Sequence, residues 1–570
     1  MIRHKLAPLA GILCGLTAIL LASNAALAAP PRHAAPAAAH SSVGPDLSPA
    51  NGDAILEALL TELDRSKSQL RMDNIPPPYY IEYRVNDINS FSAAAAFGAI
   101  REDQQARFRV LRAVVRVGDY KQDSYYAQGL GQTQILPLDD DPIALRHQIW
   151  LATDSAYKAA SEALTQKQAL LKQFTPDPNA PDDFARAPAV QVIGAAARLH
   201  YDAGRWRKTL EDVSGLYRQY PDVQDLEASL RFVSVNEYLV NSEGTVTRTG
   251  SATYSVALDG SAQAPDGMRL GRSPYWMVGR PEELPSPEEL RKETVKMLDT
   301  LVQLRQAPII EEEYRGPVVL SADAADDVFA ALIGGSVLGR KPAPGRPNRT
   351  TGAFATSYKS RVLPPFLSVA DDPAVKEFQG HSLVGSYEVD SEGVRAAPVT
   401  VIDQGMLVNY LLGRQPLRDL PASNGHGRAA PGGFPQPAVG NLFVRPAQAS
   451  SPEELKKRML EMIREQGKPY GYFAETLGPV NSPRLLYRVW EKDGHAELVR
   501  GAVFNDLDVR TLRNNLIAAG NDPLVSNRPG GMPSTVVAPS LLFDELEVKR
   551  ADTSKDKLPE YPPPPLKNSH

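Results

Sequence analysis

Hydrophobic residues recur along this chain at two spacings, and each spacing marks a different kind of element. Ile55, Leu56, Leu59, Leu60 and Leu63 follow Asp53 at helical spacing, and residues 145–171 read as a second helix with few breakers. Ser286, Pro287 and Glu289 supply the cap, first-turn proline and capping box of a third, ahead of Leu290, Val295, Leu298 and Leu301. A fourth follows the same grammar from Ser451-Pro452-Glu453-Glu454 and ends at Gly467. Between them the rhythm shortens to the two-residue alternation of strands. Residues 79–85, 106–117, 226–240 and 245–258 carry it, the last two joined through Asn241-Ser242-Glu243-Gly244, whose Asn and Gly suit a tight reversal. The basic positions within 106–117 are expected on a solvated sheet face.

The second half repeats the mixture. Gly316-Pro317-Val318-Val319-Leu320 predicts a strand running into a helix from Ser321 to about Ile333. Residues 398–402 and 407–412 predict short strands around Asp403-Gln404-Gly405, and 485–490 with 496–499 a hairpin across Lys492-Asp493-Gly494. No regular strand–helix alternation and no short repeat is present, so the class is α+β, with mixed or antiparallel sheets and flanking helices.

The ends of the chain read differently. Arg3 and Lys5, an apolar run over 6–21, and Ala26-Leu27-Ala28 follow the basic, apolar, small-residue order of a secretory signal, so residues 1–28 are expected to be removed and the protein to reside in the periplasm. Residues 29–50, rich in Ala, Pro, His and Ser, are expected to form a flexible leader, 51–305 and 306–550 two α+β domains, and 551–570 a proline-rich tail without a core role. Nothing after the signal is apolar enough to span a membrane.

Signal removal also narrows the chemistry. Cys14 is the one cysteine of the chain, so the mature protein is expected to have no disulfide, thiolate nucleophile or thiolate metal ligand. Losing Arg3 and Lys5 takes the formal charge from −5 to −7, which gives no support to nucleic-acid binding. No His-Glu-x-x-His pattern occurs, and Gly380-His381-Ser382-Leu383-Val384 and Gly334-Gly335-Ser336-Val337-Leu338 each miss the Gly-x-Ser-x-Gly elbow at the last position. One acidic cluster remains: Asp371-Asp372-Pro373 and Asp390-Ser391-Glu392-Gly393, which with His381 and His426 could form a metal or acid–base site. The simpler expectation is that these acids cap turns and pair with Arg395 and Arg428. The segment 424–433, with its glycines, reads as a flexible loop of the kind that lines clefts.

Taken in order, several of these stretches resemble the TldD/PmbA family, the peptidase-U62 group also called modulators of DNA gyrase. They are Gly316-Pro317-Val318-Val319-Leu320 with its helix, residues 367–373, Asp390-Ser391-Glu392-Gly393-Val394, residues 401–407, Asn441-Leu442, Gly520-Asn521-Asp522 and Ala538-Pro539-Ser540-Leu541. The first half fits through Val240-Asn241-Ser242-Glu243-Gly244 and the strands before it. The resemblance implies a two-domain architecture, with zinc metallopeptidase subunits that pair with partner subunits lacking the metal ligands. It places the zinc-binding His-Glu-x-x-x-His helix after the Gly-Pro-Val-Val-Leu strand and a cysteine near Gly520-Asn521-Asp522. Here the two histidine positions hold Ala330 and Gly335, the glutamate position holds Ala331, and no cysteine follows. The expectation is therefore no catalytic residue, no metal ligand and no cofactor. The partners expected are a TldD-like zinc metallopeptidase homologue, as a heterodimer, or a second copy, together with a peptide substrate. A hydrolase with relocated residues and a standalone peptide-binding protein are the alternatives.

Overall fold

The computed structural model describes residues 45–561, without 176, 344, 347 and 480, and residue 564. The expected signal with Cys14, most of the leader and the end of the tail lie outside the described residues. Of the leader, residues 48–50 form a short 3-10 turn whose Ala50 is buried. The tail is docked as far as residue 557, where the Lys557 carbonyl accepts from Gln263 Nε2 at 3.1 Å.

Asp53 caps helix α1 (Ala54–Gln69), its carboxylate accepting from the Ile55 and Leu56 amides. Asp141 caps α2 (Pro142–Leu171) in the same manner. Both helices lie on one large sheet built from long hairpins, β1 (Tyr80–Ala96) with β2 (Ala99–Arg116) and, further along the chain, β5 (Val223–Asn241) with β6 (Val246–Gln263). Short strands β3 (Gln132–Leu136), β4 (Gln191–Ile193), β7 (Arg269–Arg272) and β8 (Tyr275–Val278) complete the order β3-β2-β1-β5-β6-β4, with β7 and β8 also on β6. Odd-numbered residues of β1 face the helices: Ile81, Tyr83 and Val85 pack with α1 and α2. Phe91, Ala93 and Ala95 pack with α3 (Ala203–Ser214) and α4 (Pro287–Gln306) at the far end. Strand β1 thus runs through Ala93–Ala96, where the sequence pattern shows only small residues; a bulge at Ala94/Ala95 and the left-handed Phe97-Gly98 turn close its hairpin.

The second half forms two further sheets. One orders Met406–Leu407, Val399–Asp403, Leu367–Asp371, Asn441–Pro446, Ser534–Ala538 and Leu524–Arg528; the other orders Ala496–Val499, Pro483–Trp490, Tyr470–Leu477, Tyr314–Leu320, Leu541–Arg550 and Ala502–Phe504, with Leu516–Ala519 also on Leu541–Arg550. Each contains one parallel pair, Asn441–Pro446 with Ser534–Ala538 and Tyr314–Leu320 with Tyr470–Leu477. Helix α5 (Ala322–Val328) is capped by Ser321 and packs against strands of both sheets, burying Ala324, Ala325 and Val328 in the core they share. It continues as a π-helical turn, Phe329–Gly334. Helices α6 (Pro452–Glu465), with its Ser451–Glu454 capping box, and α7 (Val509–Asn515) pack outside. Among the described residues no helix is long and apolar enough to cross a membrane.

Candidate functional site

Two regions concentrate chemically capable residues. The first is the joint where even-numbered residues of β1 and β2 meet loops of the second half. Tyr80, Glu82, Arg84, Arg112 and Arg116 are all buried there, so the basic stripe of 106–117 is not a wet face. Arg107 alone on that stripe keeps substantial exposure, at 48% of its side chain, while Arg109 is buried against Asp87 at 2.9 Å. Arg84 donates to the Ser391 carbonyl at 3.0 Å and to the Gly433 carbonyl, and Arg112 to the Gly432 carbonyl at 2.9 Å. The glycine-rich stretch 424–433 is therefore pinned by two arginines of the large sheet. Arg414, fully buried, pairs with Glu243 at 2.7 Å, donates twice to the Ala185 carbonyl and lies over the Phe184 ring. Arg116 pairs with Asp123 at 2.7 Å. Burial works to raise the Asp123 carboxyl, but Arg116 and Lys167 outweigh it and hold it below its ordinary range.

The acids singled out in the sequence fall in or beside this joint, and their lone pairs are in use. His426 Nε2 lies 3.1 Å from Asp371 Oδ1, and Nδ1 lies 3.0 Å from the Asn424 carbonyl; both side chains are fully buried. Asp371 also accepts from the Gly440 amide at 3.0 Å. Asp390 closes its own turn, accepting from the Glu392 and Val394 amides and from Gly427 N–H at 2.8 Å. Glu392 accepts from the Arg414 amide at 2.6 Å. Its carboxylate fits because residue 427 has no side chain: a Cβ there would stand 2.1 Å from Glu392 Oε2. Burial pushes the Asp390 carboxyl well above its usual range, with the Glu392 charge adding to it, and burial raises Glu392 as well. His381 does not join the group. It sits exposed on the two-residue strand His381–Ser382 of a separate hairpin. Nor do the arginines pair as expected: Arg395 bridges to Glu388 at 2.7 Å, and Arg428 donates to the Val439 and Pro533 carbonyls.

The second region is the open side of α5 and its π-helical turn. Ala331 and Gly335 are exposed and Ala330 half-buried, so the positions that the resemblance assigns to zinc ligands form an outward face of methyl groups and hydrogen. Zinc requires imidazole, thiolate or carboxylate donors, so these residues do not fit the metal. Among the described residues no three His, Cys, Asp or Glu side chains converge into a set able to hold a metal ion. On the buried side of α5, one turn before Ala330, sits Asp326, which sequence reasoning did not single out. It is 1% exposed, and among the described residues neither carboxylate oxygen has a hydrogen-bond partner. The Ala538 amide lies near enough to favour the charged form without reaching hydrogen-bond geometry, and burial pushes the carboxyl well above its usual range. Arg528, the nearby cation, is committed to Asp327 at 2.7 Å.

The three-sheet arrangement with α5 between the second and third is a known one. A proposed modulator of a DNA gyrase from Thermotoga maritima superimposes with a TM-score of 0.56 at 16% identity, over 86% of this chain and 99% of that one. TldE from Thermococcus kodakarensis gives 0.55 at 12% identity, over 87% of this chain and all of the other. Residues 313–550 match the family described as the PmbA/TldA metallopeptidase C-terminal domain. A metalloprotease from Methanothermobacter thermautotrophicus is 24% identical over 251 residues, 42% of this chain; the match spans about half, 49%, of that relative's length. Over residues 313–550 the chain thus matches the PmbA/TldD family, and its fold over most of its length resembles that of the two solved structures.

Proposed function

We propose that the chain is a non-catalytic TldD/PmbA-family subunit that partners a periplasmic metallopeptidase in peptide or protein processing. The observation that carries this reading is the outward face of the π-helical turn, where Ala330 and Gly335 stand at the two histidine positions and Ala331 at the glutamate position of the zinc helix. A methyl group can neither ligate a metal nor accept a proton from a metal-bound water. The scaffold around that face is intact, which supports a role in holding a partner or its peptide. The periplasmic address rests on the basic, apolar and small-residue order of residues 1–28. The alternative of relocated hydrolytic residues draws no support from Asp371, His426, Asp390 and Glu392, each buried and hydrogen-bonded within the fold. Affinity capture from the envelope fraction tests the proposal: a metallopeptidase homologue bearing the histidine-glutamate helix co-purifies in defined stoichiometry. A chain that captures no such subunit, or that hydrolyses peptides by itself in the presence of zinc, overturns it.

A further inference from the structure

Helix α5 carries three acids, Asp323, Asp326 and Asp327, in unlike surroundings. Asp323 is exposed, Asp327 is half-buried and holds Arg528 at 2.7 Å, and Asp326 is buried with neither oxygen hydrogen-bonded among the described residues. The elements packed on α5 bring few charges toward it. The π-helical turn and Ser534–Ala538 have no ionisable side chain, Tyr314–Leu320 has Tyr314 and Arg315, Tyr470–Leu477 has Tyr470, Tyr472 and Glu475, and Leu524–Arg528 has Arg528. Glu475 acts on Asp323, as does Arg272 from the large sheet. On Asp326 the strongest charge is Arg528, which favours the ionised form, while Asp323 and Asp327 oppose it. The buried carboxyl thus has one cation close by, and that cation is held by the next residue.

We propose that Arg528 and these two neighbouring acids form a proton-operated latch: Arg528 rests on Asp327 while Asp326 keeps its proton, and crosses to Asp326 once that proton leaves for solvent. The asymmetry of the two acids sets the direction of exchange. An ionised Asp326 has neither water nor a donor, the costliest setting for a carboxylate, whereas Asp327, with 29% of its side chain exposed, recovers hydration when it loses its partner. Releasing Asp327 therefore costs less than leaving Asp326 bare. The two acids are consecutive, so they leave the helix about 100° apart, and a guanidinium with five donors passes between them by rotating its own side chain. Its Nη1 is loosely held, 3.4 Å from the Ser526 hydroxyl. The strand that carries Arg528 lies at the edge of its sheet, and the residue before it is a tie point. Asn527 donates to the Met277 carbonyl of β8 at 2.9 Å and to the Ser382 carbonyl at 2.8 Å, and accepts from the Val384 amide at 3.1 Å. A pull on Arg528 toward the buried side of α5 therefore bears on the seam between the large sheet and residues 382–384. The latch depends on neither the zinc-ligand positions nor the proposed partner.

Infrared titration of the full chain tests the latch. The carbonyl stretch of neutral carboxyl groups is followed from about pH 5 to about pH 9, and the component missing in Asp326→Asn reports the Asp326 proton. In Arg528→Gln, which lacks the cation, the midpoint of that component moves up by about one pH unit or more. In Asp327→Asn, which frees Arg528, it moves down, and this variant stands on its own should Arg528→Gln fail to fold. Double-mutant cycles in urea unfolding give the second readout. Near pH 5 Arg528 is coupled to Asp327 and not to Asp326; near pH 9 its coupling to Asp326 changes the unfolding constant about tenfold or more, and its coupling to Asp327 falls. An Asp326 carboxyl that keeps its proton throughout, a midpoint unmoved in both variants, or a coupling of Arg528 to Asp327 that is the same at both pH values would each overturn the inference.

Discussion

Asp390 and Asp326 are both buried carboxylates beside residues that the sequence marks as functional, yet their surroundings are opposite. Asp390 receives three backbone N–H groups and closes a turn. Asp326 has no hydrogen-bond partner among the described residues. The contrast extends to the regions around them: the joint gathers histidine, carboxylates and arginines and engages them in holding the sheets together, while the α5 face sits on an intact scaffold and presents methyl groups. Proximity of catalytic residue types is therefore no measure of a catalytic site. What distinguishes a fastener from a site is whether lone pairs remain free.

Breaking the joint has the largest expected effect. Arg414→Met leaves the half-buried Glu243 without its cation and the Ala185 carbonyl without its donors, and is expected to cost about 3 kcal/mol in urea unfolding. A loss below about 1 kcal/mol would show that the joint is a passive contact. Asp371→Asn keeps the shape but weakens the bond to His426, with a cost of about 1.5–3 kcal/mol by the same measurement.

The pH profile sharpens the comparison further. A carboxyl whose folded value is raised contributes stability that is complete below its ordinary range and is lost as pH rises through the folded value. Asp326, Asp390 and Glu392 all shift in that direction. Asp326→Asn cannot titrate, so its melting temperature relative to wild type climbs between pH 4 and pH 8. A difference constant with pH would mean that Asp326 stays charged and solvated. The smallest effect is expected at the exposed His381, where His381→Ala changes stability by less than about 0.5 kcal/mol.

Local grammar in the sequence was a good guide to elements. Ser286 and Ser451 start their helices with the capping boxes expected, and Asn241-Ser242-Glu243-Gly244 makes its reversal with Gly244 in the left-handed region. Helix α3 and strand Tyr470–Leu477 were missed, the one short and polar, the other without clean alternation. The site was legible only in part. Asp371, His426, Asp390 and Glu392 are near one another as suspected, but apart from the Asp371–His426 contact the acids' partners are backbone amides, which no spacing rule reveals. The signal for the basic residues was present in the even positions Tyr80, Glu82, Arg84 and Asn86 of a strand whose odd positions are apolar. That alternation reads as a wet face unless one knows that another layer covers it. Asp326 looked like one more acid in Asp323-Ala324-Ala325-Asp326-Asp327, because burial of one member of an acidic run depends on packing from two sheets.

The π-helical turn Phe329–Gly334 has a consequence for length as well as chemistry. Such a turn is an α-helix holding one surplus residue. Phe329 at its start, Ile333 near its end and Val337 just after it are all fully buried, so the surplus is what keeps these positions in register with the core while Ala331 looks outward. Removing one residue here would rotate everything downstream by about 100° and carry Val337 away from its packing position. Segment length at this point is thus constrained as tightly as residue type in a core, and a one-residue gap in this turn would mark a differently built face.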